Sequence, residues 1–294
     1  MIVVFGSINL DLIFLLPHIP AAGETVLTPT LSLSSGGQGA NQAVAAARDG
    51  ATVAMVGAVG RDSLATDALG LLRAANVDLT RVIQTDVTTG TAAIFVNPDG
   101  ENAIGVGSGS NLLARADQVG DTLLSPATTL LLQMEVPMAE NEALIRRARS
   151  RGARIILNLA PAAPMTSDLG GLLDILVVNE GEASFVAARI DCENTADALY
   201  GALGCAVVRT LGGRGCEYAG PDGAIQIPAI QVLVYDTTAA GDCFTGVLAA
   251  GLDRGLSVPA ALRRANTAAA LCCTRPGSQS ALPTRAETDA FLLA

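Results

Sequence analysis

Short apolar runs alternate with helical segments along most of this chain, and that alternation constrains the fold more than any other feature. Strands are expected at Ile2–Phe5, Thr52–Val56, Leu130–Met134, Ile155–Leu157, Ile175–Val178 and Ala206–Thr210. The Ala-rich or mixed-charge segments Gln42–Arg48, Ser63–Ala75, Glu140–Arg151 and Glu180–Ala188 read as helices, and further long helices begin at about Gly241 and Pro259. Strands this uniformly apolar must be covered on both faces. The order therefore implies an α/β fold of three layers, a mostly parallel sheet between helices.

Two regions break the pattern. From Leu27 to Ser34 the odd positions are Leu, Pro, Leu and Leu, and the even ones are all Thr or Ser. That period of two predicts a half-exposed strand, and Pro29 marks it as an edge. Thr91–Val96 and Asn102–Val106 flank Asn97-Pro98-Asp99-Gly100, which has the residues of a hairpin turn. These strands suit a small sheet standing off the body as a lid, an ordinary edge hairpin, or a contact between two copies in a homodimer. No repeat or linker divides the chain. Residues 1–294 are expected to form a single α/β domain, with lid strands from about 10–34 and 88–107.

Several chemistries are excluded or disfavoured by what is missing. The net charge is −10, which argues against nucleic acid and anionic membranes as partners. No run of apolar residues is long enough to span a bilayer. All 18 basic residues are Arg, so a Walker A loop, a strand lysine of the protein-kinase type and Schiff-base chemistry are all ruled out. The one histidine, His18, sits between prolines and is poorly placed for a Ser-His-Asp triad. A general base would then be Asp or Glu. The six cysteines show no C-x-x-C spacing and no nearby His, which argues against zinc and fits a reduced, cytoplasmic setting. Most should pack as small hydrophobes. Cys243 is expected to differ, because it adjoins a candidate turn and could be modified. Met1–Gly6 reads as a first strand, not a signal peptide.

The segment with the clearest chemistry is Asp236-Thr237-Thr238-Ala239-Ala240-Gly241-Asp242, followed by Cys243-Phe244-Thr245-Gly246. It reads as a strand end, a turn of small residues, and a helix with a carboxylate in its first turn. The first amides of a helix lack internal partners and sit at the positive end of its dipole, so they suit an anion. An Asp beside that anion site can take a proton from an attacking hydroxyl, which points to phosphoryl transfer to an alcohol. A plain capped helix start is the other reading of the segment taken alone. Upstream, Gly36-Gly37-Gln38-Gly39-Ala40-Asn41-Gln42 offers a second close approach of backbone to a polar ligand. Asn9 and Asp11 follow the first strand two residues apart, on one face if extended, where they could bind sugar hydroxyls or simply form a turn. Glu135 follows the apolar run ending at Met134, at the strand end where ligands of α/β sheets gather.

These segments resemble the ribokinase family of ATP-dependent carbohydrate kinases, the PfkB-type group, along essentially the full chain. The resemblance is carried in order by GSINLD (6–11), GGQGANQA (36–43), QMEVP (133–137), NLAPA (158–162), NEGE (179–182), TLGGRG (210–215) and DTTAAGDCFTG (236–246). It implies a ribokinase-like fold with a β-sheet lid, with Asp242 as catalytic base and Ala239, Ala240 and Gly241 as the anion hole. Asn9, Asp11, Gly37, Gln38, Asn41 and Glu135 would line the sugar site. Asn179 and Glu182 match the element that organises Mg²⁺ through water, although Glu182 could be an exposed acid on a helix face. Thr210, Gly212 and Gly215 match the loop that holds the ATP phosphates. Arg214 would assist there or be a solvated loop charge, and Asn266 would fall near the adenine. Loops for a monovalent cation, K⁺, map to Asp236 and Thr238 with Cys272, Arg275 and Gly277. The implied reaction is ATP-dependent phosphorylation of a sugar, with D-ribose at its 5-hydroxyl foremost. Another pentose, a ketohexose or a nucleoside is the alternative, and a catalytically silent sugar or nucleotide sensor is the alternative of another class. The chain departs from the family's usual pattern at Gln38, where Lys is customary, and at Cys243, usually a small hydroxyl residue or alanine.

Overall fold

The computed structural model describes residues 1–166 and 168–293. One sheet holds nine strands: β1 (Ile2–Phe5), β4 (Val53–Gly60), β5 (Asp78–Thr85), β8 (Thr129–Leu132), β9 (Arg154–Asn158), β10 (Ile175–Asn179), β11 (Ala206–Thr210), β12 (Cys216–Gly220) and β13 (Gly223–Ile227). Its order is β13-β12-β11-β10-β9-β8-β1-β4-β5, parallel throughout except for β12 and β13. The four remaining strands, β2 (Asn9–Leu15), β3 (Leu31–Gly36), β6 (Gly90–Val96) and β7 (Asn102–Gly107), make a second sheet in the order β3-β2-β6-β7.

The helices are α1 (Gln38–Arg48), α2 (Ser63–Ala68), α3 (Gly70–Ala74), α4 (Met138–Ser150), α5 (Glu180–Ile190), α6 (Ala196–Leu203), α7 (Ala240–Asp253), α8 (Val258–Cys272) and α9 (Arg285–Leu292). None of those described is long and apolar enough to cross a membrane. Alternation along β1 assigns the two faces of the large sheet. Ile2 and Val4 pack with α1, α2, α3, α7 and α8, whereas Val3 and Phe5 pack with α4, α5 and α6. Both faces are dry, as the apolar runs require.

Strand order reverses at β1: the chain leaves it toward β4 and returns to its other side as β8. Such a reversal opens a crevice at the carboxyl ends of the strands. The second sheet stands over that end. Strand β2 begins buried and ends exposed, so Asn9 and Asp11 lie at its root and Leu15 at its tip.

The expected strands of the large sheet and most helices are present with shifted ends. Strand β3 starts only at Leu31, paired with Phe14, so Leu27–Thr30 and Pro29 lie outside the ladder. The long helix expected over Ser63–Ala75 is two short ones, with Gly70, a poor helix former, at the junction. Strands β5 and β12 carry charges such as Arg81 and Glu217, and these and β13 lie toward the sheet's margins, where no continuous apolar run announces them.

Helices α1 and α7 approach closely at Gly246, where a Cβ would lie 2.4 Å from the Gln42 carbonyl oxygen and 2.8 Å from the Ala45 Cβ. Backbone cannot yield there as a side chain would. Gly246→Val is expected to lower unfolding stability by about 1–3 kcal/mol with an unchanged m-value in urea. An unaltered midpoint would show that the helices do not depend on this contact.

Candidate active site

Helix α7 opens in an unusual way. Ala239, its N-cap, adopts a left-handed conformation with φ 58° and contributes no capping side chain. The turn leaves the Gly241 and Asp242 amides without a partner among the described residues, whereas the Ala240 amide donates to the Thr237 carbonyl at 3.2 Å. Of the three residues expected to form the anion hole, Gly241 keeps a free amide and Ala240 does not; the Ala239 amide, before the helix, also has no partner among the described residues. Two free amides at the positive end of a helix of 14 residues remain directed at the crevice.

Asp242 sits in that first turn. Asn41 Nδ2 donates to its Oδ2 and Gln42 Nε2 to its Oδ1, each at 2.9 Å. Burial raises its pKa to about 7 against the lowering effect of these two donors, and the charges of Glu135 and Asp11 add to the rise. A carboxylate poised there can exchange a proton near neutral pH. Cys243, the next residue, is fully buried inside α7 with its thiol pKa pushed well up by burial, so it is not the modifiable turn cysteine expected from sequence.

The polar wall on the β1/β8 side is built from several elements. Glu135 accepts from Ser7 Oγ at 2.5 Å and from the Gln38 amide at 3.1 Å. Asp11 is buried and packs over Gly36, where a Cβ would fall 2.2 Å from its carboxylate oxygen. Burial, then the neighbouring Glu135 charge, raises the Asp11 pKa to about 7. Gly37 has φ 87°, and a Cβ on it would lie 2.8 Å from the Asn9 amide. Asn9 is fixed by Asn111, whose Nδ2 donates to Asn9 Oδ1 at 2.7 Å while its Oδ1 accepts from the Ile8 amide. Asn111 lies in a 3-10 turn, Gly109–Leu113, after a run of glycines not expected from sequence to take part in the site. The Asn41 Oδ1 and Gln38 Oε1 atoms are buried with no hydrogen-bond partner. Between this wall, the second sheet and residues 234–238 lies a cleft of about 670 Å³.

On the other side of Asp242 a cavity contains Gln38, Asn158, Asn179, Glu182, Thr210, Ala239, Ala240 and Gly241. Asn179 and Glu182 form a reciprocal cap on α5: the Asn179 amide donates to Glu182 Oε2 at 2.7 Å, and the Glu182 amide to Asn179 Oδ1 at 2.9 Å. Glu182 is thus buried at a helix start, not exposed on a helix face, and burial raises its pKa. One carboxylate and one amide cannot cage Mg²⁺ directly but suit an ion that keeps its waters. An adjoining cavity of about 230 Å³ is lined by Thr210, Gly212, Gly215, Ile230, Phe244, Asn266 and Ala269. Apolar walls with glycine backbone suit a flat heterocycle followed by an anion. Arg214 lines neither cavity; it is exposed and paired with Glu180, as a solvated loop charge would be. Asn266 lines the cavity, but its Nδ2 is committed to the Pro228 carbonyl at 2.9 Å.

The expected cation loops also meet. Asp236 accepts from the Thr238 amide at 2.8 Å and from the Gly277 amide at 2.9 Å, which ties the two loops together. Cys272 is buried and donates its thiol to the Thr238 carbonyl at 3.8 Å, while its own carbonyl accepts from the Arg275 amide at 3.2 Å. The Arg275 side chain turns away to Glu287. No group of three or more His, Cys, Asp or Glu among the described residues could hold a metal, so any ion here would rest mainly on carbonyls.

Residues 1–285 match the pfkB family of carbohydrate kinases. The ribokinase of Bacillus subtilis is 36% identical over 99% of both chains, and the deoxyribokinase of Salmonella typhi is 30% identical over 99% of this chain and 98% of its own. Among solved structures, ribokinase from Thermotoga maritima superposes with a TM-score of 0.91 at 30% identity, covering 100% of this chain and 99% of that one. Arabidopsis thaliana ribokinase complexed with ribose and ATP gives 0.89 at 30% identity over 99% and 98%. Fold, crevice and full-length similarity agree: the chain belongs to the pfkB family of carbohydrate kinases, the ATP-dependent phosphotransferases.

Proposed function

We propose that this kinase transfers the γ-phosphoryl group of ATP to the 5-hydroxyl of D-ribose. The observation that carries the reading is the position of Asp242. Its carboxylate is held by Asn41 and Gln42 beside two unpaired amides, and it lines the same cavity as Gln38, Asn179, Glu182 and Thr210. Asn9, Asp11, Gly37, Gln38, Asn41 and Glu135 would bind the sugar hydroxyls, with Asp11 accepting from a vicinal pair. ATP would lie along Thr210, Gly212 and Gly215 with its base toward Asn266, and its γ-phosphate would face α7. Asp242 takes the proton of the 5-hydroxyl as its oxygen attacks phosphorus in line and the bond to ADP breaks. The Gly241 and Asp242 amides, with Ala239 and Ala240 shaping the turn, receive charge on the transferring oxygens. Asn179 and Glu182 would hold Mg²⁺ through its waters, and the ion would supply the neutralisation that a lysine gives elsewhere. K⁺ would sit between the loops of Asp236 and Thr238 and those of Cys272, Arg275 and Gly277. The exposed Leu31, Leu33, Ile104 and Val106 of the lid support a homodimer formed through that sheet.

Ribose is preferred because relatives named ribokinase match essentially the whole chain, and because Asp11 and Glu135 lie close enough to Asp242 to act on its charge, a grouping that suits the hydroxyls of a polyol. The deoxyribokinase relative, and Gln38 with its neutral amide, make 2-deoxyribose the second substrate to test.

Three outcomes follow from these roles. ADP release measured over pentoses, 2-deoxyribose, ketohexoses and nucleosides should be greatest with D-ribose and greater in potassium than in sodium; no release with any of them would leave a sensor. Asp242→Asn should lower kcat by at least roughly 1,000-fold while sugar binding by calorimetry stays within a few-fold, and near-normal turnover would remove the base. Because the base must be ionised, kcat/KM should rise with pH through a midpoint near 7, the value to which burial raises Asp242. A flat profile from about pH 5.5 to 8.5 would contradict this.

Asp11 gives a stability test. Its folded pKa of about 7 lies above its ordinary value of 3.8, so its contribution is fully present below the latter and is lost as pH rises through the former. Asp11→Asn should therefore raise Tm at about pH 8, and less so at about pH 5, while weakening sugar binding. A lowered Tm at the higher pH would show that ionised Asp11 is not a strain on the fold.

A further inference from the structure

Helix α1 supplies one side chain, Gln42, that meets the Asp242 carboxylate from behind the site. Gln42 has no exposed surface, so it cannot touch sugar or nucleotide. Its Nε2 nonetheless reaches Asp242 Oδ1 and Asn158 Oδ1, both at 2.9 Å. Its Oε1 accepts from Gln133 Nε2 at 2.7 Å. Gln133 is itself buried at the end of β8, with its carbonyl accepting from Asn141 Nδ2 at 2.7 Å. The space for the Gln133 amide exists because residue 6 is glycine: a Cβ there would lie 1.9 Å from Gln133 Oε1. A line of buried amides thus runs from α4 through the β8 terminus and α1 to the carboxylate.

Direction matters in such a line. A glutamine amide is an acceptor at one atom and a donor at the other. With Gln133 Nε2 engaging Gln42 Oε1, the Gln42 nitrogen must face Asp242; turned over, its oxygen would meet carboxylate oxygen. Each Asp242 oxygen then receives one amide hydrogen, from Asn41 or Gln42, and keeps a lone pair for a substrate hydroxyl. The other titratable groups that act on Asp242 are Glu135 and Asp11, which oppose its ionisation, with Cys243 and Cys272 behind it. No cation bonds to it. A Lys or Arg would hold the carboxylate ionised but make it a weak base, whereas neutral donors fix its angle and leave it basic.

We propose that Gln42, oriented by Gln133, is a positioning residue that holds the Asp242 carboxylate at its working angle through a neutral hydrogen bond. This rests on Asp242 being the base. The most direct test uses the wild-type chain: the Gln42 side-chain amide resonances should shift with pH along the Asp242 titration, and the shift should vanish in Asp242→Asn. Resonances that do not move between about pH 5.5 and 8.5 would overturn the proposal. In kinetics, Gln42→Leu should lower kcat on the order of 10–100-fold, leave sugar KM within about threefold and move the acid limb of kcat/KM to higher pH. Gln133→Met should do the same to a smaller extent and serves if the first variant does not fold. Unchanged kcat and midpoint in either variant, or a rise in KM alone, would overturn the proposal while leaving the phosphoryl-transfer reading intact. Absence of ADP release by the wild type would instead remove that reading and this one together.

Discussion

The contact between α1 and α7 is the constraint on which the rest of the site depends. Two helices distant in sequence meet where Gly246 lets backbone approach backbone, and one turn earlier the same pair brings Asn41 and Gln42 to Asp242. Packing density transmits geometry: a well-filled seam cannot slide without breaking both hydrogen bonds. The seam also fixes α7 against the sheet, so its opening turn presents free amides at the crevice where strand order reverses. Fold and chemistry share one interface.

Electrostatics at this site are managed without lysine. Asp11, Glu135 and Asp242 lie close enough for their charges to act on one another, and burial and mutual repulsion hold Asp11 and Asp242 at pKa values of about 7. Such a cluster is a cost to the folded state, of the kind common where function and stability compete. Glu135 is offset by a serine hydroxyl and a helix-opening amide, Glu182 by the Asn179 amide, and Asp242 by two side-chain amides. Neutral donors aim each carboxylate without bringing a positive charge to it. Positive charge would enter with the nucleotide's metal and from α7.

Much of this was legible in the sequence because the site is built from short segments at strand ends. The apolar runs located the parallel strands other than β5, and the glycine clusters mark two places where backbone packs closely. Asp242, Glu135, Asn9 and Asp11 were found because each follows a recognisable run or turn. Asn111, Gln133 and Gln42 were not assigned roles, since their importance is one of contact across the fold and no periodicity marks it. Ala240 was assigned a free amide that the turn in fact engages with Thr237, a consequence of the left-handed Ala239 that sequence does not announce. The motif leaves Arg214 either beside the phosphates or as a solvated loop charge, because its ion pair with Glu180 on a neighbouring helix has no local signal. Cys243 adjoins the turn in sequence, but its place on α7 turns its side chain into the core, which the motif alone does not announce.

The central claim is that α7's opening amides grip the moving phosphoryl group while Asp242 accepts the sugar proton. A crystal structure with ribose, ADP and a metal-fluoride mimic of that group tests it most directly. The account predicts the mimic within about 3.2 Å of the Gly241 and Asp242 nitrogens and the 5-hydroxyl within hydrogen-bond reach of an Asp242 oxygen. A mimic bound away from that turn, or a sugar whose nearest carboxylate is Asp11 or Glu135 at the reacting oxygen, would contradict it.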